Sequence, residues 1–128
     1  MAKYYGRERD IVNPPASYKT STLVMLYNSD FTNSVAKGRW TAADGFLLEK
    51  GSFIRKENTC STNKSIKPIQ DKLLKDKYLQ NSDHVDYYLL TEDIRTSSPS
   101  SSACLVFGND RTGYKHWQTK EGERLPKK

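Results

Sequence analysis

The sequence predicts an α+β domain: a small antiparallel sheet of four to five strands packed by two helices, with a flexible N-terminal arm. Three observations carry this. Short apolar runs rich in strand formers alternate with Gly, Asn and Asp turn signals. Two segments place apolar residues at helical spacing behind a serine-containing start. Near the N-terminus, Asn13-Pro14-Pro15 blocks regular structure, because proline lacks a backbone N–H and restrains the residue before it.

The elements follow in chain order. Residues 1–18 form the arm, in which Tyr4, Tyr5 and Ile11 are apolar enough to dock; residues 19–128 form one domain. "TSTLVMLYNS" (20–29) is a strand ended by the turn chemistry of Asn28-Ser29-Asp30. Asp44-Gly45 and Lys50-Gly51-Ser52 mark turns around Phe46-Leu47-Leu48 and Phe53-Ile54, two strands expected to pair antiparallel through Glu49 to Ser52. Residues 58–65 are a polar loop whose last residue, Ser65, can cap a helix starting at Ile66. Pro68 falls in its first turn, where the missing N–H does no harm. Ile66, Ile69 and Leu73 make its apolar stripe, with Leu74 and Tyr78 beside it and Lys67, Lys72, Lys75 and Lys77 on the rest. "DHVDYYLLTED" (83–93) gives a strand centred on Tyr87 to Leu90. Ser98-Pro99 then starts a second helix, Ala103, Val106 and Phe107 share one face of it, and Gly108-Asn109 ends it. "TGYKHWQT" reads as a strand and "KEGERL" as a hairpin turn into a short final strand.

Composition bounds the class. The chain has 128 residues, 35% hydrophobic, and a mean hydropathy of −0.81. Its 8 Tyr, 4 Phe and 2 Trp nonetheless supply one modest core. The longest apolar block, "LVMLY" at 23–27, is far short of the roughly 18 residues that span a bilayer, and the N-terminus lacks a signal-type apolar region. A cytoplasmic protein is therefore expected, with Cys104 buried, Cys60 in a polar loop and both reduced. The net charge is +6 and the pI about 9.3. Residues 50–78 carry eight Lys/Arg against three Asp/Glu, and 111–128 carry six against two; 79–110 reverse this with one against five. A basic middle and tail flanking an acidic segment suit a polyanion on one face, or an ordinary solvated surface.

No chemistry-bearing constellation stands out. Ser100, His116 and Asp110 can be drawn as a triad, but any serine-rich chain allows one. Cys60, His84, Cys104 and His116 are spaced 24, 20 and 12 residues apart, without the close pairs of a structural zinc site. No Walker A or Gly-x-Gly-x-x-Gly pattern occurs. A non-enzymatic protein without metal or cofactor is expected. Ser98-Pro99 would suit phosphorylation, but its helix-start role already explains it. Trp40, Tyr87, Tyr88, Tyr114 and Trp117 can either fill the core or, beside lysines, stack on bases.

"DGFLLEKGSFIRKE", "SSPSSSACLVFGNDRTGYKHW" and "KEGERL", in that order, resemble the domain of unknown function 4357 family over residues 36–125. The pieces that carry the likeness are Gly45-Phe46, Gly51-Ser52, Ser98-Pro99-Ser100, Gly108 and Gly113-Tyr114-Lys115-His116-Trp117; Ser101-Ser102 depart from it, standing where the family tends to alanine. The family is often appended to GIY-YIG nucleases and other DNA-processing proteins, and is similar to the restriction-associated RAMA domain. The resemblance thus implies an accessory role around DNA and supplies no catalytic residues. Together with the charge pattern it gives a non-enzymatic module that binds nucleic acid, DNA foremost, or helps a DNA-processing protein do so. Lys50, Arg55, Lys56, Lys72, Lys75, Arg111 and Lys115 would meet phosphates, and Tyr114 or Trp117 would stack on a base. The alternative is a protein-interaction module, of the kind a mobile element directs at a host defence or DNA-processing protein.

Overall fold

The computed structural model describes residues 2–6, 8–42, 44–57, 66–109 and 113–125. In chain order its strands are β1 (Lys3–Tyr4), β2 (Leu23–Leu26), β3 (Ala36–Thr41), β4 (Gly45–Leu48), β5 (Phe53–Arg55), β6 (Leu79–Asn81), β7 (Tyr87–Leu90) and β8 (Ile94–Thr96). Its helices are α1 (Ile66–Lys75), α2 (Pro99–Phe107) and α3 (Gly113–His116). The α+β architecture is as expected, with a five-stranded sheet in the order β1-β8-β4-β3-β2 and a separate three-stranded sheet, β5-β7-β6.

The larger sheet grows from two hairpin-like contacts. β3 pairs antiparallel with β4 across the Asp44-Gly45 turn, where Gly45 takes φ +90° and a Cβ would run into the Thr96 carbonyl. β2 pairs with β3, and β8 closes the other edge of β4. Alternation along these strands sends Val24, Trp40, Phe46, Leu48, Ile94 and Thr96 to one side, all fully buried. Phe46–Leu48 and Phe53–Ile54 do not pair with each other. Both edges of β4 are taken by β3 and β8, so the chain turns at Gly51 (φ +89°) and delivers β5 to β7 in the second sheet.

The N-terminal segment docks, as Tyr4 and Tyr5 allowed. β1 lies parallel to β8, which makes the sheet mixed, and Tyr5 is sealed beneath it. The Tyr5 hydroxyl donates to Asp76 Oδ2 (2.7 Å), which Lys3 Nζ also reaches at 2.8 Å. Further along, Val12 N donates to the Ser97 carbonyl (2.8 Å), and Trp40 Nε1 donates to the Val12 carbonyl (2.9 Å). The arm is thus latched at both ends rather than loose.

α2 lies at the centre of the fold. It packs on β5 of the small sheet, on β4 and β8 of the large one, and on α1 and α3. Consequently Ser101 to Phe107 are buried all round, not on one face alone. Ser98 is its N-cap, accepting from Ser101 N, and Pro99 occupies the first turn. Gly108 closes it in the left-handed region (φ 73°), its N–H donating to the Cys104 carbonyl. The serine run thereby satisfies itself inside the protein. Thr96 Oγ1 lies 2.7 Å from Ser102 Oγ, and it also donates to the Ser98 carbonyl. α1 carries Ile66, Ile69 and Leu73 inward as its period requires; the Ser65 cap lies outside the described residues.

The segment expected as a strand at "TGYKHWQT" is instead α3 up to His116. Its alternation of Tyr114/His116 and Lys115/Trp117 mimics a strand period, but the helical turn carries Trp117 into the core against Phe46 (4.7 Å). Trp117 Nε1 donates there to the Pro99 carbonyl (2.9 Å), and His116 meets Phe107 at 5.8 Å. The chain then runs beside β2 through a Met25–Gln118 bridge and turns back at Gln118–Arg124.

Two outcomes test this packing. Thr96→Val strands the buried Ser102 hydroxyl and is expected to cost about 1–3 kcal/mol in chemical denaturation, whereas Ser102→Ala leaves Thr96 bonded to the Ser98 carbonyl and costs about 1 kcal/mol or less. The Asp76 carboxyl is held below the usual carboxylate range, first by the Lys3 ammonium and then by the Tyr5 hydroxyl. A depressed folded-state value stabilises above the unfolded pKa, about 3.9, and that stabilisation disappears as pH falls through the folded value. The melting-temperature gap between wild type and Asp76→Asn is therefore expected to be full at neutral pH and to close in acid.

Candidate functional site

The sequence-derived cations separate into distinct settings. Arg55 and Lys56 lie at the end of β5, each beside a ring: Arg55 Cζ is 5.8 Å from the Tyr87 centroid and Lys56 Nζ 5.2 Å from that of Tyr88. α1 is pinned to this point, because the buried Gln70 amide donates to both the Arg55 and Lys56 carbonyls (3.0 and 3.1 Å). Lys72 and Lys75 are exposed on the same helix, and Lys72 Nζ stands 5.9 Å from the Tyr5 ring. Lys115 is exposed on α3. That helix packs on α2, whose closing Gly108 abuts Arg55. Arg55, Lys56, Lys72, Lys75 and Lys115 make no ion pair with a described residue; those that do are Lys3, Arg39, Lys67 and Arg95.

The other expected residues fall elsewhere. Lys50 sits in the turn before β5, its backbone N–H held by Asp93 Oδ1 (2.8 Å) and its surroundings shared with Glu92, so its setting is acidic. Arg111 and the Tyr114 side chain lie outside the described residues. Trp117 is 0% exposed and hydrogen-bonded inside, and Trp40 is equally sealed; neither ring can stack on a base. Each is held by its own partners in the core, Trp117 by Phe46 (4.7 Å) and Trp40 by Tyr18 (5.5 Å) and the Val12 carbonyl. Tyr87 is buried as well, its hydroxyl tied to Asp30 and Asn28 (3.3 and 3.1 Å) under a cluster of Phe31, Phe53 and His84. Tyr88 remains partly exposed.

A group that the sequence reading did not single out lies on the outer side of the five-stranded sheet. Tyr4, Arg95, Leu47, Arg39 and Leu23 stand opposite one another in successive strands. Each is partly exposed. Arg95 Cζ lies 5.5 Å from the Tyr4 ring centroid. The local signal was present as in-out alternation in "KGRWT", "GFLLE" and "DIRT", but the register that aligns them across strands is not written in any one segment.

Among the described residues, no group of three or more His, Cys, Asp or Glu comes together to hold a metal, and no helix is long and apolar enough to cross a membrane. A family model described as Domain of unknown function (DUF4357) matches residues 26–127. No curated protein and no solved structure matches the chain.

With both tryptophans enclosed, their emission is expected to resist acrylamide quenching and to stay unchanged when nucleic acid is added. Trp117→Phe removes the Pro99 hydrogen bond and part of the core, and is expected to cost about 1–3 kcal/mol in denaturant melts.

Proposed function

The chain belongs to the DUF4357 family, and from that premise we propose that it is a non-catalytic, cytoplasmic accessory module that grips nucleic acid, DNA foremost, by its phosphates, in a restriction–modification or other DNA-processing setting. The observation that supports this is the junction of β5 and α1. These two consecutive elements are tied together there through Gln70, with Arg55 and Lys56 at the end of one, Lys72 and Lys75 on the other, and none ion-paired to a described residue. Phosphate neutralisation by such side chains is independent of sequence and falls steeply with salt. Stacking by Trp117 is dropped from the reading, because the ring is enclosed.

A second reading, a protein-interaction module, draws on one feature. Val85 at the β6–β7 turn is 77% exposed, an apolar tip of the kind a partner protein covers.

A salt-titrated binding assay tests the proposal. Wild type is expected to bind duplex DNA with log K falling linearly in log salt, and Arg55→Ala/Lys56→Ala to lower the slope by up to about 2, since each lost phosphate contact removes about 0.9. A flat salt response, or no binding at low salt, overturns it and favours the protein partner.

A further inference from the structure

The large sheet has one covered side and one open side. α2 occupies the inner side through the Thr96–Ser102 hydroxyl pair. α3 leads into that side through Trp117 on Phe46, and α1 reaches it through Asp76 on Tyr5. Tyr4 points opposite to Tyr5, as Leu47 does to Phe46 and Leu48, so the row Tyr4, Arg95, Leu47, Arg39 and Leu23 lies on the open side. At about 4.8 Å between neighbouring strands the row is about 19 Å long.

Both arginines are fixed along one edge. Arg95 donates from Nε to the Ala2 carbonyl (3.1 Å) and from Nη1 to the Asp44 carbonyl (3.2 Å). Arg39 donates from Nε to Glu49 Oε2 (2.6 Å) and from Nη1 to the Ser21 carbonyl (2.8 Å). Neither Nη2 bonds a described residue, and the guanidinium planes keep partial exposure, with 37% of the Arg39 side chain and 24% of the Arg95 side chain accessible. A guanidinium held this way loses little freedom when it meets a ligand. Lys37, Arg39 and Arg95 on the strands of this side meet Glu49 at the end of β4 and Asp44 at the β3–β4 turn, whose Oδ1 lies 3.9 Å from Arg95 Nη1, so these groups leave one positive charge in excess.

We propose that this open face binds a short single-stranded segment of nucleic acid. Bases would lie on the Tyr4 ring, on Leu47 and on the arginine planes, and phosphates would take the free guanidinium edges. A duplex keeps its base faces stacked and cannot use such a surface. A folded protein needs roughly 800 Å² per partner, whereas five strands about 4.8 Å apart and some 15 Å long offer about 350 Å². The inference rests on the nucleic-acid reading above and adds the form of the ligand.

The test uses fluorescence anisotropy of the full chain with labelled oligo(dT) of about ten nucleotides, with an abasic strand of equal length and with a duplex. Leu47→Glu and Tyr4→Ala are compared with wild type, their melting temperatures checked first. The expected result is binding of oligo(dT) weakened about tenfold or more in each variant and in the abasic strand, with duplex binding altered less than about threefold. Stably folded variants that bind oligo(dT) like wild type overturn the inference while leaving the phosphate reading standing, as does a wild type that binds duplex but no single strand. Equal affinity for abasic and normal strands overturns it too, since no base is then recognised. Wild type that binds no nucleic acid at low salt removes both. An acidic peptide such as poly-glutamate that displaces oligo(dT) and is itself lost in Leu47→Glu overturns it in favour of a protein ligand.

Discussion

The fold depends on burying a helix whose first turn is made of hydroxyls. α2 is wedged between two sheets, and Pro99 and Ser101 to Phe107 are withdrawn from water. Four buried serine and threonine side chains therefore lose their solvent partners, a loss that would unfold a small domain if left uncompensated. They compensate one another: Thr96 with Ser102 and the Ser98 carbonyl, Ser98 with Ser101. The indole of Trp117 takes the Pro99 carbonyl at the same place. Such a network tolerates few other arrangements, so it fixes how far β8 stands from α2, and through β8 where β4 and β1 lie.

That arrangement has consequences for the surface. Because the core takes in both tryptophans, Tyr5, Tyr87 and Phe46, the large rings that a basic protein could have shown to a base are mostly enclosed. Among the described residues, Tyr27 is exposed and Tyr4, Tyr18, Tyr78 and Tyr88 are partly so, beside the surface charges. The Lys56 and Arg55 side chains lean over tyrosine rings, so part of their attraction is already spent within the protein. The proposed phosphate contact therefore leans on the exposed lysines of α1 as much as on the β5 pair, and the proposed base contact moves from the tryptophans to the open sheet face.

How far the site was legible in the sequence differs residue by residue. Lys72 and Lys75 were readable as exposed, because an apolar stripe at Ile66, Ile69 and Leu73 leaves them the opposite side of a helix. Lys50 was readable as a turn residue, but its acidic neighbours, Glu92 and Asp93, come from just before β8, more than forty positions away. Trp117 stood in what read as a strand, whereas the chain there forms the short helix α3, which delivers Trp117 to the core. The row from Tyr4 to Leu23 was invisible for a different reason: each member is an ordinary outward residue, and only strand register lines them up.

By itself the sequence determined what is local. Ser98-Pro99 and Gly108 bounded α2, the apolar stripe set α1, Tyr87 to Leu90 formed a strand, and Asp44-Gly45 made a turn, since each depends on backbone preference within a few residues. The division into two sheets, the docking of the N-terminal strand on β8 and the enclosure of both tryptophans were settled only by the tertiary structure. Those outcomes turn on which edges are already occupied and which volume remains to be filled, and both quantities exist only once distant segments have met.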